Sequence, residues 1–488
     1  MPKTHRLKSD EREFFSLVNQ AVLANPFSDE RAEIDRKIAG LFPGTARDVA
    51  LEKAINGVGR RLAIIEKSGR GNISLFSGTD RKILMIAYLY VMFHQFIDRL
   101  DTLISDQLNA GKTSLKVAFA DEMIAFLEKR GFDRQDILHY IALSFQIRRA
   151  YFFIDRGLVG RSSCMQKLRE GLWNNVFTYD IDLYNEYLWS RMEDFSTIVL
   201  GETGTGKGTA AKAIGQSGFI PFDEKKGCFK ESFARTFLSL NISQFSESLI
   251  ESELFGHKKG AFTGAVEAHR GVFDQCSPHG AIFLDEIGEV LQPLQIKLLK
   301  VLEERIFSPV GSHEEHRFEG RIIAATNRPL EEIQTRAFFR SDFFYRLCSD
   351  IIKVPPLRER LKEDPGELDD LLAYTVEKII GKPSPELVKM VQKRILKQLG
   401  KDYPWPGNVR ELGQCVRRIL LKRSYTLVTY PTLTETRSGL AAHVDNGDLC
   451  AQELLKEYCR LLYDRHGTLG EVARLTKLDR RTVKKYIG

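Results

Sequence analysis

Residues 201–208 read GETGTGKG, a run whose residue types and spacing suit one chemistry, the cradling of phosphate oxygens. Closely spaced glycines let successive backbone N–H groups face one way, and a lysine behind them adds a positive charge. The octet Gly201, Glu202, Thr203, Gly204, Thr205, Gly206, Lys207, Gly208 follows the apolar STIVL and precedes Thr209 to Ile214, a good helix sequence. That is the strand, loop and helix context of a nucleotide phosphate loop, with the helix N-terminus adding positive potential and Lys207 able to reach the β- and γ-phosphates. A second run, GAIFLDE, is an apolar strand ending in two carboxylates, Asp285 and Glu286. Ligands bind at the carboxyl ends of parallel strands, so Asp285 is the expected magnesium partner and Glu286 the group that polarises an attacking water. ATP and Mg2+ are the cofactors this pairing implies. Position 208 departs from the general pattern, being Gly where a Ser or Thr hydroxyl usually meets the metal. Thr209 is expected to point elsewhere on the helix, which leaves the metal to phosphates, water and Asp285.

The elements that must position these groups form an α/β pattern. Short apolar or β-branched runs at 196–200, 237–240, 281–284, 322–325 and 351–354 alternate with helix-like stretches, as in a parallel sheet. Before them, residues 10–158 are helical in pattern, with Phe14, Leu17, Val18 and Val22, and later Met123, Phe126 and Leu127, at spacings of three to four. After Pro355-Pro356, residues 368–416 read as a small helical lid. The expected fold class is thus an α/β P-loop domain with a helical lid, preceded by a mostly α-helical region and followed by an α-helical helix-turn-helix. The corresponding boundaries are 1–157, 158–354, 355–423, a turn-rich linker at 424–447 holding Pro431 and Asn446-Gly447, and 448–488.

Bulk properties exclude several classes. A length of 488 residues suggests about three domains, and 43% hydrophobic with 28% charged residues describes a folded, soluble chain rather than a disordered one. The cysteines at 164, 228, 276, 348, 415, 450 and 459 form no CxxC pair and no zinc spacing, which fits a reducing cytoplasm. The longest apolar run, Ile83 to Ile97, contains His94 and Gln95 and is shorter than the roughly 18 residues of a spanning helix, so a buried helix and no membrane partner are expected.

A net charge of +7 is modest for this length, so clustering matters more than the total. The C-terminal HGTLGEVARLTKLDRRTVKKYIG concentrates basic residues and fits a helix-turn-helix. Val472, Ala473 and Leu475 would pack from its first helix, Leu478 from the turn, and Val483 and Ile487 from the second, which Asp479 would cap. Arg480, Arg481 and Thr482 could then read major-groove edges, with Lys484 and Lys485 reaching base or phosphate. A basic dimerisation helix is the alternative.

Between the phosphate loop and the acidic strand lies ESELFGHKKGAFTGA, residues 251–265. The hexapeptide GAFTGA would arise by chance in on the order of one in 10⁵ chains of this length. On this motif, the chain resembles the bacterial enhancer-binding proteins, the AAA+ activators of sigma-54 RNA polymerase, from about Val159 to Leu412, with a Fis-type tail following. The resemblance implies that Gly260, Ala261, Phe262, Thr263, Gly264 and Ala265 form a mobile loop touching sigma-54, with Phe262 and Thr263 at its tip. It implies that Asn241, in TFLSLN, is a switch residue bonded to Glu286, and that Asn327, in RIIAATNRPL, senses the γ-phosphate. Arg340 and Arg346, in FRSDFFYRL, would be fingers reaching a neighbouring subunit's nucleotide. Arg410, in PWPGNVREL, would be a second sensor, and Val159 and Gly160, in VGRSS, would lie on the adenine side. Residues 215–236 are longer than the family's usual connection and read as an insertion on the rim of the sheet.

The implied partners are the sigma-54 RNA polymerase holoenzyme, double-stranded enhancer DNA and further copies of the chain, from a dimer to a hexameric ring. The implied activity is ATP hydrolysis that remodels the closed polymerase–promoter complex into an open one. A DNA-binding regulator using ATP only as an assembly ligand is the alternative. Glu286, Arg340 and Arg346 favour hydrolysis, since a binding-only switch could dispense with them. Residues 1–157 resemble neither a phospho-receiver nor a strand-rich sensor, and the family's habit implies a helical region that restrains the ring.

Overall fold

The computed structural model of the protein describes residues 5–334, 339–422 and 449–487; the expected linker at 424–447 falls outside them. Two compact units result, one up to residue 423 and the other from 424 onward.

Eight helices open the first unit: α1 (Ser9–Leu23), α2 (Asp29–Ala39), α3 (Arg47–Lys67), α4 (Gly78–Gln95), α5 (Ile97–Ala110), α6 (Ala120–Glu128), α7 (Arg134–Gly157) and α8 (Ser163–Phe177). Local signals set their ends. Ser28 accepts from Arg31 N at the start of α2, and Gly40, at φ 65°, ends it in the left-handed conformation. Helix α4 carries the longest apolar run and buries Ile83, Leu84, Ala87, Tyr88, Tyr90 and Met92, as a core helix does. Among the described residues no single helix is long and apolar enough to cross a membrane.

The sheet follows, with strands β1 (Thr197–Leu200), β2 (Phe237–Asn241), β3 (Ala281–Asp285), β4 (Arg321–Thr326) and β5 (Asp350–Lys353). All neighbours are parallel, in the order β2-β3-β4-β1-β5. The five apolar runs read from the sequence are these five strands. The central ones are apolar on both sides because both faces are covered. Val199, Phe283, Ile323 and Ala325 face a core continuous with the N-terminal helices and with the phosphate-loop helix Lys207–Gly215. Ile198, Leu200, Ile282, Leu284, Ile322 and Ala324 face the opposite layer, which includes the helices Glu247–Phe255, Gln292–Glu304 and Ser341–Leu347. The N-terminal helices therefore form one outer layer of an α/β/α sandwich.

Residues 215–236 lie against those helices. They form a small hairpin, Phe222–Asp223 with Cys228–Phe229, whose Gly227 carbonyl accepts from Val117 N at 2.8 Å. Phe229 stacks on Phe145 of α7 at 4.1 Å. The lid comprises the helices Leu357–Glu363, Glu367–Ile380, Pro385–Leu399 and Asn408–Lys422.

In the second unit, Ala451–His466 precedes the helices Leu469–Thr476 and Arg480–Ile487. Its core is Cys459, Leu462, Val472 and Val483, with Leu469, Ala473, Leu478 and Ile487 packed on it. Leu475 departs from expectation: it is 41% exposed, because the preceding helix fills the core from the other side with Cys459 and Leu462.

Candidate nucleotide site and interaction surfaces

Strand β1 ends at Leu200 and delivers the chain into the phosphate loop. Gly204 (φ 82°) and Gly206 (φ 109°) hold backbone conformations that other residues adopt only with strain. At Gly204 a side chain would also collide with the Gly407 carbonyl oxygen and crowd Arg410, so the lid can approach the loop only over glycine. Thr205 turns its hydroxyl back onto the Glu202 carbonyl at 2.9 Å, which tightens the turn. Lys207 is buried, and its ammonium donates to the carbonyls of Gly201 at 2.8 Å and Glu202 at 3.3 Å. Burial lowers its pKa, against the raising effect of Glu286 and Asp285. A phosphate would replace weak carbonyl partners with a charged one, so the lysine is poised for an anion.

Lys207 shares a cleft of about 740 Å³ with Asp285, Glu286 and Arg410. Asp285 closes β3 and accepts from the backbone N–H of Glu286 at 3.1 Å. Glu286 follows at φ 56° and ψ 44°, a left-handed conformation that costs a non-glycine residue about 1–2 kcal/mol. Strain of this kind at a carboxylate facing a cleft is characteristic of functional sites. Among the described residues no group of three or more His, Cys, Asp or Glu could hold a metal alone. One or two carboxylates opposite a phosphate cradle are, however, the donor set that suits Mg2+, which takes its other ligands from phosphate and water. Gly208 lines the same cleft, and a Cβ there would meet only Phe283, at 3.8 Å, so packing does not demand glycine. Thr209 also lines the cleft, contrary to the expectation that it points elsewhere. Its exposed place in the first helical turn lies beside the end of α7, where a Cβ on Gly157 would sit 3.3 Å from its methyl.

The residues expected to act as sensor and switch, Asn327 and Asn241, have these partners. Asn327, just past β4, donates to the Thr203 hydroxyl at 3.3 Å and so touches the phosphate loop. Asn241 pairs in register with Asp285, but its carboxamide oxygen accepts from the backbone and hydroxyl of Ser243, at 3.0 and 2.7 Å, rather than meeting Glu286. The short helical turn after β2 needs a cap, and Asn241 supplies it.

Two latch residues were not legible from the sequence. Arg358 forks onto Glu202 at 2.5 and 2.7 Å, and the fully buried Asn408 donates to Glu202 and to the Thr203 carbonyl. The backbone N–H of Arg410 donates to the Gly204 carbonyl at 3.3 Å. The lid thus grips the loop through PWPGNVREL, and nearness to Arg410 was the only available signal. Val159 and Gly160 do not line the cleft holding Lys207; the Val159 carbonyl accepts instead from Arg360 of the lid at 2.5 Å. From the chain just before them, Phe153 and Gly157 of α7 line the cleft.

Arg340 pairs with Asp342 at 2.7 Å, and Arg346 donates to the Leu302 carbonyl at 2.9 Å. Neither lines the cleft of its own chain.

The GAFTGA segment is a closed turn. His257 and His269 exchange backbone hydrogen bonds at its base, both 2.9 Å, and Gly260 N donates to the Ala265 carbonyl at 2.8 Å. Gly260 and Gly264 take φ values of 80° and 104°, which the turn requires. Phe262 is 38% exposed with its ring edge-on to His257, Thr263 is exposed, and Ala261 lies between them and Gly260.

In the second unit Asp479 caps the last helix as expected, accepting from Arg481 N at 2.8 Å and Thr482 N at 2.9 Å. The Thr482 hydroxyl also donates to Asp479, so this side chain is engaged in the cap. Arg480, Arg481, Lys484 and Lys485 are exposed.

Residues 183–353 match the family model described as the Sigma-54 interaction domain. The Nif-specific regulatory protein of Azotobacter vinelandii is 42% identical over 224 residues, 46% of this chain and 39% of that protein. The DNA-binding transcriptional regulator NtrC of Azospirillum brasilense is 37% identical over 262 residues, 54% and 47% of the two chains. NtrC of Rhizobium meliloti is 33% identical over 317 residues, 64% and 58%. The chain thus spans less than two thirds of the length of these relatives. Residues 183–353, which carry the phosphate loop, the carboxylate pair and the GAFTGA turn, are thus similar to the Sigma-54 interaction domain.

Proposed function

We propose that the chain is a sigma-54-dependent transcriptional activator that binds enhancer DNA, hydrolyses ATP and remodels the closed polymerase–promoter complex into an open one. The observation that carries this reading is the convergence of Lys207, Asp285, Glu286 and Arg410 on one cleft, in a domain that also presents Phe262 and Thr263 to solvent. The loop N–H groups and Lys207 bind the β- and γ-phosphates. Asp285 would hold Mg2+, which would supply neutralisation of charge on those phosphate oxygens. Glu286 orients a water and accepts its proton as the water oxygen bonds to the γ-phosphorus. The bond from that phosphorus to the bridging oxygen breaks, and ADP leaves with the electron pair. Arg340 and Arg346 of one subunit face the nucleotide of the next, where a finger in trans contributes roughly 10³ to 10⁵ in rate, so hydrolysis requires an oligomeric ring. The GAFTGA turn delivers the motion to sigma-54, and Arg480, Arg481, Lys484 and Lys485 hold the chain on double-stranded DNA.

The test is promoter opening by the purified chain with sigma-54 polymerase and ATP, with Thr263→Ala as the control. Opening by wild type and loss in the variant, with ATPase retained, is the expected outcome. Hydrolysis without opening by wild type would remove the sigma-54 assignment and leave the motor.

A further inference from the structure

Helix α7, the longest of the N-terminal helices, lies against the phosphate-loop helix and touches it at both ends. At one end Arg149, fully buried, donates to the carbonyls of Gln216 and Gly218, both at 2.7 Å. These lie just past the C-terminus of the helix Lys207–Gly215, where a cation is favoured by the helix dipole. Gln146 adds a bond to the Ser217 carbonyl at 2.9 Å. At the other end Gly157 sits beside Thr209, in the first turn of the same helix. Eight residues of α7 separate Arg149 from Gly157, about 12 Å at the helical rise, and Thr209 to Gln216 spans about 10 Å, so the two helices run antiparallel and in step. The hairpin at 222–229 and Phe233 clasp α7 from outside: Phe229 stacks on Phe145, and Phe233 meets the Phe153 ring edge-on at 5.5 Å.

This splint puts Phe153 into the wall of the nucleotide cleft, with Tyr374 of the lid lining the same cleft. Phe153, Gly157 and Tyr374 line the cleft together with Thr209, Lys212 and Ala213 of the phosphate-loop helix and with Lys378 of the lid. Lys207 to Ala213 covers about 9 Å along the helix axis, comparable to the distance from the β-phosphate of a nucleotide to its base. A base that reaches that far along the helix from phosphates on the loop meets the wall formed by Phe153 and Gly157 beside Thr209.

We propose that α7 is a built-in wall of the nucleotide site, with Phe153 packing on the base, so that nucleotide occupancy and docking of the N-terminal helices stabilise one another. This rests on the reading of the cleft as an ATP site. It makes the N-terminal region part of the binding site, and coupling of this kind is reciprocal.

The experiment is calorimetric titration of the full chain with ATP and, separately, with inorganic tripolyphosphate, which offers the phosphates without a base. Base–aromatic stacking is worth roughly 5- to 150-fold in affinity. Phe153→Ala is expected to weaken ATP by about 10-fold or more while tripolyphosphate stays within about 2-fold, and Phe153→Tyr to restore ATP binding. Phe153→Leu keeps the bulk without the stacking face and serves if the alanine variant does not fold; it too should weaken ATP alone. Unchanged ATP affinity, or equal loss of both ligands, overturns the proposal and leaves the ATP site standing. A wild-type chain that binds neither ligand overturns both.

Discussion

Arg360 and Glu367 form an ion pair at 2.7 Å with side-chain exposures of 3% and 0%. The same Glu367 carboxylate accepts from the backbone and hydroxyl of Ser162 at 2.8 and 2.5 Å, and Arg360 holds the Val159 carbonyl. Two lid residues thereby pin the segment that leaves α7. Removing one partner leaves the other charge buried and unpaired, which costs about 3–5 kcal/mol. Glu367→Ala should lower the urea midpoint by the corresponding amount, and a loss under about 1 kcal/mol would show that solvent reaches the pair.

Catalytic roles separate by substitution around the cleft. Glu286→Gln should retain ATP binding and lose hydrolysis by about 10²-fold or more, the usual contribution of a positioned base. Lys207→Ala should lose binding. On the proposed assignment of the metal to Asp285 and the phosphates, Thr209→Ala should leave hydrolysis largely intact even though Thr209 lines the cleft; a loss comparable to Lys207→Ala would reverse that assignment. Gly208→Ser has room for its side chain, with the nearest atom to a new Cβ at 3.8 Å. It should fold normally and lower the Mg2+ concentration that half-saturates hydrolysis.

His94 gives the fold a pH dependence. Burial, with Arg31 and Arg148 nearby, pushes its pKa from 6.5 down to about 4, against the raising effect of its hydrogen bond to the Tyr90 carbonyl. The fold accommodates the neutral ring, so between these values the unfolded chain binds more protons. Stability is fully present above about pH 6.5 and declines as pH falls towards about 4, by about 3 kcal/mol at most. Urea midpoints measured at pH 7.5 and pH 5 should differ less in His94→Gln than in wild type. An unchanged difference would assign the slope to other groups.

The parts of the fold legible in the sequence were those with a local signal. Strand β3 could be read because residues covered on both faces must be apolar, and the phosphate loop because its turn needs glycines at Gly204 and Gly206. The Asp479 cap could be read because a carboxylate before a helix has one obvious use. What escaped depends on who the neighbours are. Asn241 puts its carboxamide oxygen to use as the cap of its own turn, accepting from Ser243, a local role that the reading of the sequence did not name. The stretch 215–236 has hairpin and aromatic content but nothing that names Phe145 or Val117 as its partners. Leu475 fits a helical core pattern, yet the helix Ala451–His466 decides which face is inside.

Contacts to DNA should divide by position on the last helix. Replacing Arg480 and Arg481 together with Ala should abolish site-specific retention in a gel-shift assay while ATPase activity persists, because base edges are read near the start of such a helix. Lys484→Ala and Lys485→Ala should weaken binding to all sequences alike. Each should reduce the slope of log affinity against log salt by about one, the signature of a lost phosphate contact. Equal site-specific retention in the double arginine variant would point to the dimerisation alternative.

The exclusion of Arg346 from its own cleft can be tested by mixing. Lys207→Ala subunits lack a working loop and Arg346→Ala subunits lack the finger, so each alone should be inactive. If Arg346 serves the neighbour, a competent site arises wherever an Arg346→Ala subunit, with its loop intact, receives the finger of a Lys207→Ala subunit. In an equimolar mixture that re-equilibrates into rings, such a pair occurs at about a quarter of the sites, half the subunits having the loop and half of their neighbours the finger. ATPase activity should therefore return to about a quarter of wild type on mixing. A finger acting in cis predicts no recovery at any ratio, because no subunit carries both residues.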